Sequence, residues 1–256
     1  MKRRFQLLLG LLVTVLSTFA KSAENQFTCS RFKQDFATLV EQRQSFDVRI
    51  LEECIEKHDI PDSQHYIGLV YLLGINTLPD YEQGILHLVD SVNSGNTKSL
   101  VALGDFYVIN EDSEIFQQGV ELLRLAMNDG SSDAVVSLSR LVQNGEIGPD
   151  SEIEDRFEKL FEEGTPDAVL LKVRLAIETS IKLNDEKFIE DVAKEANRVS
   201  KSNQLIGDVH YMVARAFITE GTKFYNVSRV ISELNSAAQF GNEEALKLLA
   251  AIESRE

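Results

Sequence analysis

Between residues 97 and 130 the apolar positions follow a helical period. Leu100, Leu103, Phe106 and Tyr107 recur at helical spacing, a polar break follows at Asn110 to Ser113, and Val120, Leu122, Leu123, Leu125 and Ala126 form a second amphipathic segment. This stretch therefore reads as two helices joined by a turn. Ser113 is placed to cap the start of the second, and Gly130 to end it in a left-handed conformation that costs glycine little. Proline occurs only at Pro61, Pro79, Pro149 and Pro166. These are element edges on this reading, where proline does least harm to a helix.

The same pattern recurs along the chain. The unit ends fall at Gly95, Gly130, Gly164 and Gly241, separated by 35, 34 and 77 residues. The last gap is two units of about 38 residues, and its missing glycine is expected near Ser200. Four residues after each glycine comes a small side chain: Ser99, Ala134, Ala168 and Ala245. Nine residues after come Gly104, Ser139, Val173 and Ala250, and eleven before the first two come Gly84 and Gly119. A fixed period of this length is the mark of stacked helix pairs. Gly68, Gly84, Gly104 and Gly119 lie inside helices, where each costs about 1 kcal/mol relative to alanine. Together that is roughly 4 kcal/mol out of a typical total of about 5–15. Such a loss is tolerable if backbones approach closely there, which we expect between adjacent units.

These residues resemble the Sel-one-like repeat family, relatives of the tetratricopeptide repeats. Ala237-Ala238-Gln239-Phe240-Gly241-Asn242-Glu243-Glu244-Ala245 is similar to that family's Ala-Ala-x-x-Gly-Asn-x-x-Ala join. Ala102-Leu103-Gly104-Asp105-Phe106-Tyr107 and Tyr66-Ile67-Gly68-Leu69-Val70-Tyr71 are similar to its Leu-Gly-x-x-Tyr stretch. The similarity is strong over 61–168 and at the C-terminus, and weak at 169–203, where the glycines are gone. The resemblance implies an all-α fold, a right-handed α/α superhelix of about five helix-pair repeats, acting as an adaptor or scaffold. On this reading an N-terminal helical pair occupies 21–60, the repeats 61–241, and a capping helix 242–256. Solenoids need such caps because the last packing face is otherwise exposed.

The first twenty residues carry a different signal. Lys2, Arg3 and Arg4 precede an apolar run from Phe5 to Ala20. This is the layout of a secretory signal peptide over 1–20, with cleavage after Ala20; an uncleaved anchor is the alternative. No second long apolar run follows, so no membrane insertion is expected after cleavage. Removing the three cations takes Lys plus Arg from 26 to 23 against 41 Asp plus Glu, a net charge of about −18. So acidic a chain should not bind nucleic acid non-specifically. In an oxidising compartment the two cysteines, Cys29 and Cys54, read as one disulfide; buried free thiols are the alternative. Asn226-Val227-Ser228 is a glycosylation sequon that matters only in a eukaryotic secretory route, and a bacterial periplasm or the cell exterior is the expected location.

Catalytic and cofactor signatures are absent, so neither an enzyme nor a cofactor is expected. His58, His65, His87 and His210 lie apart, none with a partner at metal-ligand spacing, and His87 reads as a core or boundary residue. Ser30-Arg31-Phe32-Lys33 matches Ser-x-x-Lys without its companion motifs, which leaves a β-lactam-recognising hydrolase as a remote alternative. One repeat position carries Asp105, Arg140, Arg174 and Arg215 in successive units. Arginine suits bidentate pairing with carboxylates, so Arg140, Arg174 and Arg215 form a candidate partner-binding line; salt bridges between units are the bland alternative. The function expected is protein–protein interaction, regulating an envelope sensor or surface assembly, or else serving as a structural part of an envelope machine such as a flagellar motor.

Overall fold

The computed structural model describes residues 48–57, 62–109, 112–218 and 226–253. Among these residues every regular element is a helix. They are α1 (Val48–Lys57), α2 (Ser63–Leu73), α3 (Tyr81–Asn93), α4 (Thr97–Tyr107), α5 (Ser113–Asn128), α6 (Ser132–Gln143), α7 (Ser151–Glu162), α8 (Pro166–Leu183), α9 (Lys187–Val199), α10 (Asn203–Ile218), α11 (Val227–Gln239) and α12 (Glu243–Glu253). The chain divides into two compact units, one ending at Ala126 and one starting at Met127.

Helix starts are set by short polar side chains. Asp80 accepts from the Gln83 amide, Asn96 from Lys98, Ser131 from Ala134, Asp150 from Glu152 and Ile153, and Asn226 from Arg229. Each satisfies a donor that the first turn leaves unpaired. At α5 the cap is Asp112, which accepts from the amides of Glu114 and Ile115, rather than Ser113 as the sequence suggested. Asp112 is the residue one step earlier, and it puts a carboxylate at the positive end of the helix. Gly95, Gly130, Gly164 and Gly241 all have φ between 73° and 90°, so each ends its helix in the left-handed region. The glycine expected near Ser200 has no counterpart, because Ser200 ends α9 in an extended conformation.

In the first unit α2 pairs with α3 and α4 with α5. Leu72, Leu88 and Leu103 form a buried cluster, with Ile85, Phe106 and Leu122 packed around it. The helical glycines sit at the crossings. A Cβ on Gly68 would lie 2.6 Å from Leu88 Cγ and 3.1 Å from the Gly84 carbonyl oxygen, and one on Gly104 would lie 2.7 Å from Leu123 Cγ and 3.1 Å from the Gly119 oxygen. The close approach is therefore between the two helices of one pair, and not between adjacent units as expected. Glycines on facing helices let the backbones meet, and the bulky partner is a leucine from the same pair. Leu125, grouped with the inward residues in the sequence, is 55% exposed, while Met127 is buried.

In the second unit the pairs are α6/α7, α8/α9 and α10/α11, with α12 against α11. Here the helices change length. α8 has 18 residues where α6 has 12, and α10 has 16. The 77-residue gap between Gly164 and Gly241 is thus absorbed by longer helices. Asn184 ends α8 with φ 56°, doing the work of a glycine, since asparagine tolerates this region better than most residues. Ile189, Val213, Phe217, Val230, Leu234 and Ala245 form the unit's terminal core.

Candidate functional site

The arginines of the shared repeat position lie on α6, α8 and α10, the first helices of three successive pairs. Arg174 and Arg215 are exposed and Arg140 is half-buried. Arg140 and Arg215 are engaged within the chain, whereas Arg174 forms no ion pair among the described residues. Asp105, at the same position in the first unit, is also engaged. Ala20, Cys29, Ser30, Lys33 and His58 lie outside the described residues. Cys54 is fully buried in α1.

Two histidine clusters have the ingredients of acid–base chemistry. In the first unit Ser99 donates to Ser91 Oγ at 2.8 Å, so its oxygen is left to accept from His65 Nδ1 at 3.0 Å. A hydroxyl beside an imidazole is the arrangement of an activated nucleophile. Ser99 is fully buried and His65 nearly so, and no substrate reaches them; the chain of bonds satisfies a polar core. Burial pushes the His65 pKa down, Lys98 adds to this, and Asp62 opposes it. His87 is half-buried, stacks on Tyr71 and bonds to Gln64 Oε1 at 2.7 Å, in keeping with a boundary residue. Its pKa is also lowered by burial, against Asp90 and Glu52.

In the second unit His210 Nδ1 donates to Glu233 Oε2 at 2.7 Å and stacks on Phe240. Arg229 joins Glu233 at 3.3 Å and Glu190 at 2.8 Å, and lies over the Phe217 ring. Burial pushes the Glu233 carboxyl up, but the His210 and Arg229 contacts outweigh it and hold the carboxyl below its ordinary value. The other ring nitrogen of His210 faces the Asn197 amide at 3.4 Å, not a nucleophile. The cluster ties α9, α10 and α11 together. Among the described residues no three His, Cys, Asp or Glu side chains are grouped to hold a metal ion, and no helix is long and apolar enough to cross a membrane.

The join asparagines have a role that sequence reading missed. Asn96 caps α4 through Oδ1 and donates from Nδ2 to Asp62 at 2.9 Å, 34 residues back. Asn242 caps α12 by accepting from Ala245 and donates to Asp208 at 2.7 Å, again 34 residues back. One side chain thus starts a helix and ties it to the preceding pair. The equal offset of 34 was the available signal.

A cleft of about 360 Å³ opens in the second unit among α6, α7, α8 and α9. Its walls are Phe157, Leu175, Ala176, Phe188 and Val192, with Ser139 also lining it and Glu154, Glu158 and Lys172 among its charged residues. Nothing in the spacing of the sequence marked this place, because it depends on how four helices pack together.

No protein-family model matches the chain, and no curated protein matches it. Among solved structures it is similar to a Sel1 repeat protein from Oxalobacter formigenes, with TM-score 0.51, 15% identity, and coverage of 86% of this chain and 89% of that one. It is also similar to c5321, a protective antigen of uropathogenic Escherichia coli displaying an SLR fold, with TM-score 0.43, 20% identity, and coverage of 81% and 44%. A third is a sel1 repeat protein, described as putative, from Klebsiella pneumoniae subsp. pneumoniae, with TM-score 0.46, 16% identity, and coverage of 79% and 97%. The helix pairs and the first of these likenesses define an all-α repeat protein of the solenoid class. Within that class its fold is that of the Sel1-like repeat proteins.

Proposed function

We propose that the chain is an exported scaffold that binds another protein, in a bacterial periplasm or outside the cell, and that it regulates an envelope sensor or surface assembly. The observation that carries this reading is the placement of Arg140, Arg174 and Arg215 on the first helices of three successive pairs, in a chain with 41 acidic and 26 basic residues. Side chains carried on successive first helices would suit an extended acidic segment of a partner. Arg174, exposed and in no ion pair among the described residues, would then hold a partner carboxylate by charge-assisted, bidentate bonds, and Arg140 and Arg215 would join it by exchanging contacts they make within the chain. The charged, apolar N-terminus supports export, and export in turn supports a Cys29–Cys54 disulfide, which would anchor the segment before α1.

Crosslinking followed by pull-down from the envelope fraction tests the reading. The wild type should capture a discrete partner there, and the Arg140→Ala, Arg174→Ala, Arg215→Ala variant should lose it at unchanged helical content. A variant that melts earlier yet retains its partner would mean that the arginines only brace neighbouring helices. Absence of the protein from the envelope and medium would overturn the location.

A further inference from the structure

We propose that the cleft among α6, α7, α8 and α9 is a docking pocket for one aromatic side chain with a hydrogen-bonding tip, tryptophan or tyrosine, carried next to a cationic residue on a partner protein. The pocket is separate from the arginine line and does not depend on it. Its volume of about 360 Å³ lies within the range of about 300–1,000 Å³ in which proteins hold compact ligands. Its walls are apolar, from Phe157, Leu175, Ala176 and Val192. Phe188 also lines it while remaining 42% exposed, so a large apolar ring stands at the mouth with much of its surface in water.

Two further features select the occupant. Ser139 lines the cleft and is 3% exposed, and its hydroxyl has no hydrogen-bond partner among the described residues. A buried polar atom without a partner is costly, and an indole N–H or a phenol O–H entering the cleft would satisfy it once the Ser139 hydroxyl turns from its buried position toward the cleft. Aromatic groups with one polar tip need such a partner when they are buried. The charged residues are the second feature. Lys172 is held by both carboxylate oxygens of Glu158, at 2.6 and 2.8 Å, and covers the Phe161 ring. Glu154 is exposed and forms no ion pair among the described residues. The charge left over is negative, and a lysine or arginine beside the aromatic residue would meet it.

The chain contains no tryptophan, so the emission of an added tryptophan peptide reports on its own surroundings. The full chain is titrated into Ac-Lys-Trp-Lys-NH2 and the emission maximum is followed. A saturable blue shift is expected. Phe188→Glu, at a partly exposed position and compared at unchanged helical content, should abolish it, and Glu154→Lys should weaken it. Ser139→Ala should weaken binding about fivefold, the value of one neutral hydrogen bond. The same peptide with naphthylalanine for tryptophan, which has no N–H, should bind wild type and Ser139→Ala equally in a competition assay. No shift up to millimolar protein overturns the proposal, and so does a shift that Phe188→Glu leaves unchanged. Self-association of the wild type that Phe188→Glu abolishes, without peptide binding, would assign the pocket to a second copy and also overturn it.

Discussion

The two units follow one plan of paired helices but hold the pairs together differently. In the first, glycines on facing helices bring the backbones into contact, at Gly68 with Gly84 and at Gly104 with Gly119. In the second, the residues nine after the join glycines are Ser139, Val173 and Ala250, and two of the first helices, α8 and α10, are longer than α6. One glycine crossing remains there, at Gly207 on α10, whose added Cβ would lie 3.2 Å from the Ala237 carbonyl oxygen of α11; elsewhere side chains take over, with Arg229 joined to Glu190 and Glu233, and Glu233 to His210, binding α9, α10 and α11. Glycine crossings fill the space between helices with backbone. Pairs spaced by side chains leave gaps at their edges, and the cleft beside α8 is one of them. The irregular repeat is thus where a binding site can open.

The largest effect is expected within the second unit, at two glycines of one repeat position. Both Gly130 and Gly164 have positive φ, 90° and 73°. A Cβ on Gly130 would meet nothing within 4 Å, whereas one on Gly164 would collide with the Val199 carbonyl oxygen. Gly130→Ala should cost only the left-handed penalty, about 1–2 kcal/mol. Gly164→Ala should add an overpacking cost of about 1–3 kcal/mol. Denaturant melts of the two variants would show it, and equal losses would mean that the second unit gives way at this join.

A smaller effect is expected from Gly119→Ala. Alanine is favoured over glycine in a helix by about 1 kcal/mol, so a net loss can come only from crowding. The new Cβ would lie 2.8 Å from the Val108 nitrogen and 2.9 Å from the Gly104 oxygen, backbone atoms that cannot turn aside. A net destabilisation of about 1–2 kcal/mol is expected. A variant more stable than wild type would show that the crossing is loose.

The smallest effect is one of pH. His65 and His87 are held below their ordinary value by burial, so the folded first unit binds their protons more weakly than the unfolded chain does. Their contribution is complete above about 6.5 and is lost as pH falls below it. Glu233 is held below its ordinary value; its contribution is complete above about 4.5 and is lost as pH falls further. Between pH 7 and 5 the first unit should therefore weaken first. Melting curves over that range should have a shallower pH slope in His65→Gln than in wild type, and an unchanged slope would remove His65 from the account.

Much of the fold was legible because it rests on local rules. The helical period of Leu103, Phe106 and Tyr107, the join glycines and the residue spacing follow from how one helix hides one face and ends in a left-handed turn. The regular pairs over 63–162 and the final half-pair needed nothing more, whereas at 169–203, where the join glycines are gone, the register was not readable. The partner of each contact was not legible. That Gly104 meets Gly119 within its pair, that Asn96 reaches Asp62, and that His210 finds Glu233 depends on which helix faces are brought together. The candidate cleft depends further still on how α6, α7, α8 and α9 come together around it. Sequence spacing records where helices start and stop; only their packing decides which side chains are left without partners, as Ser139 is.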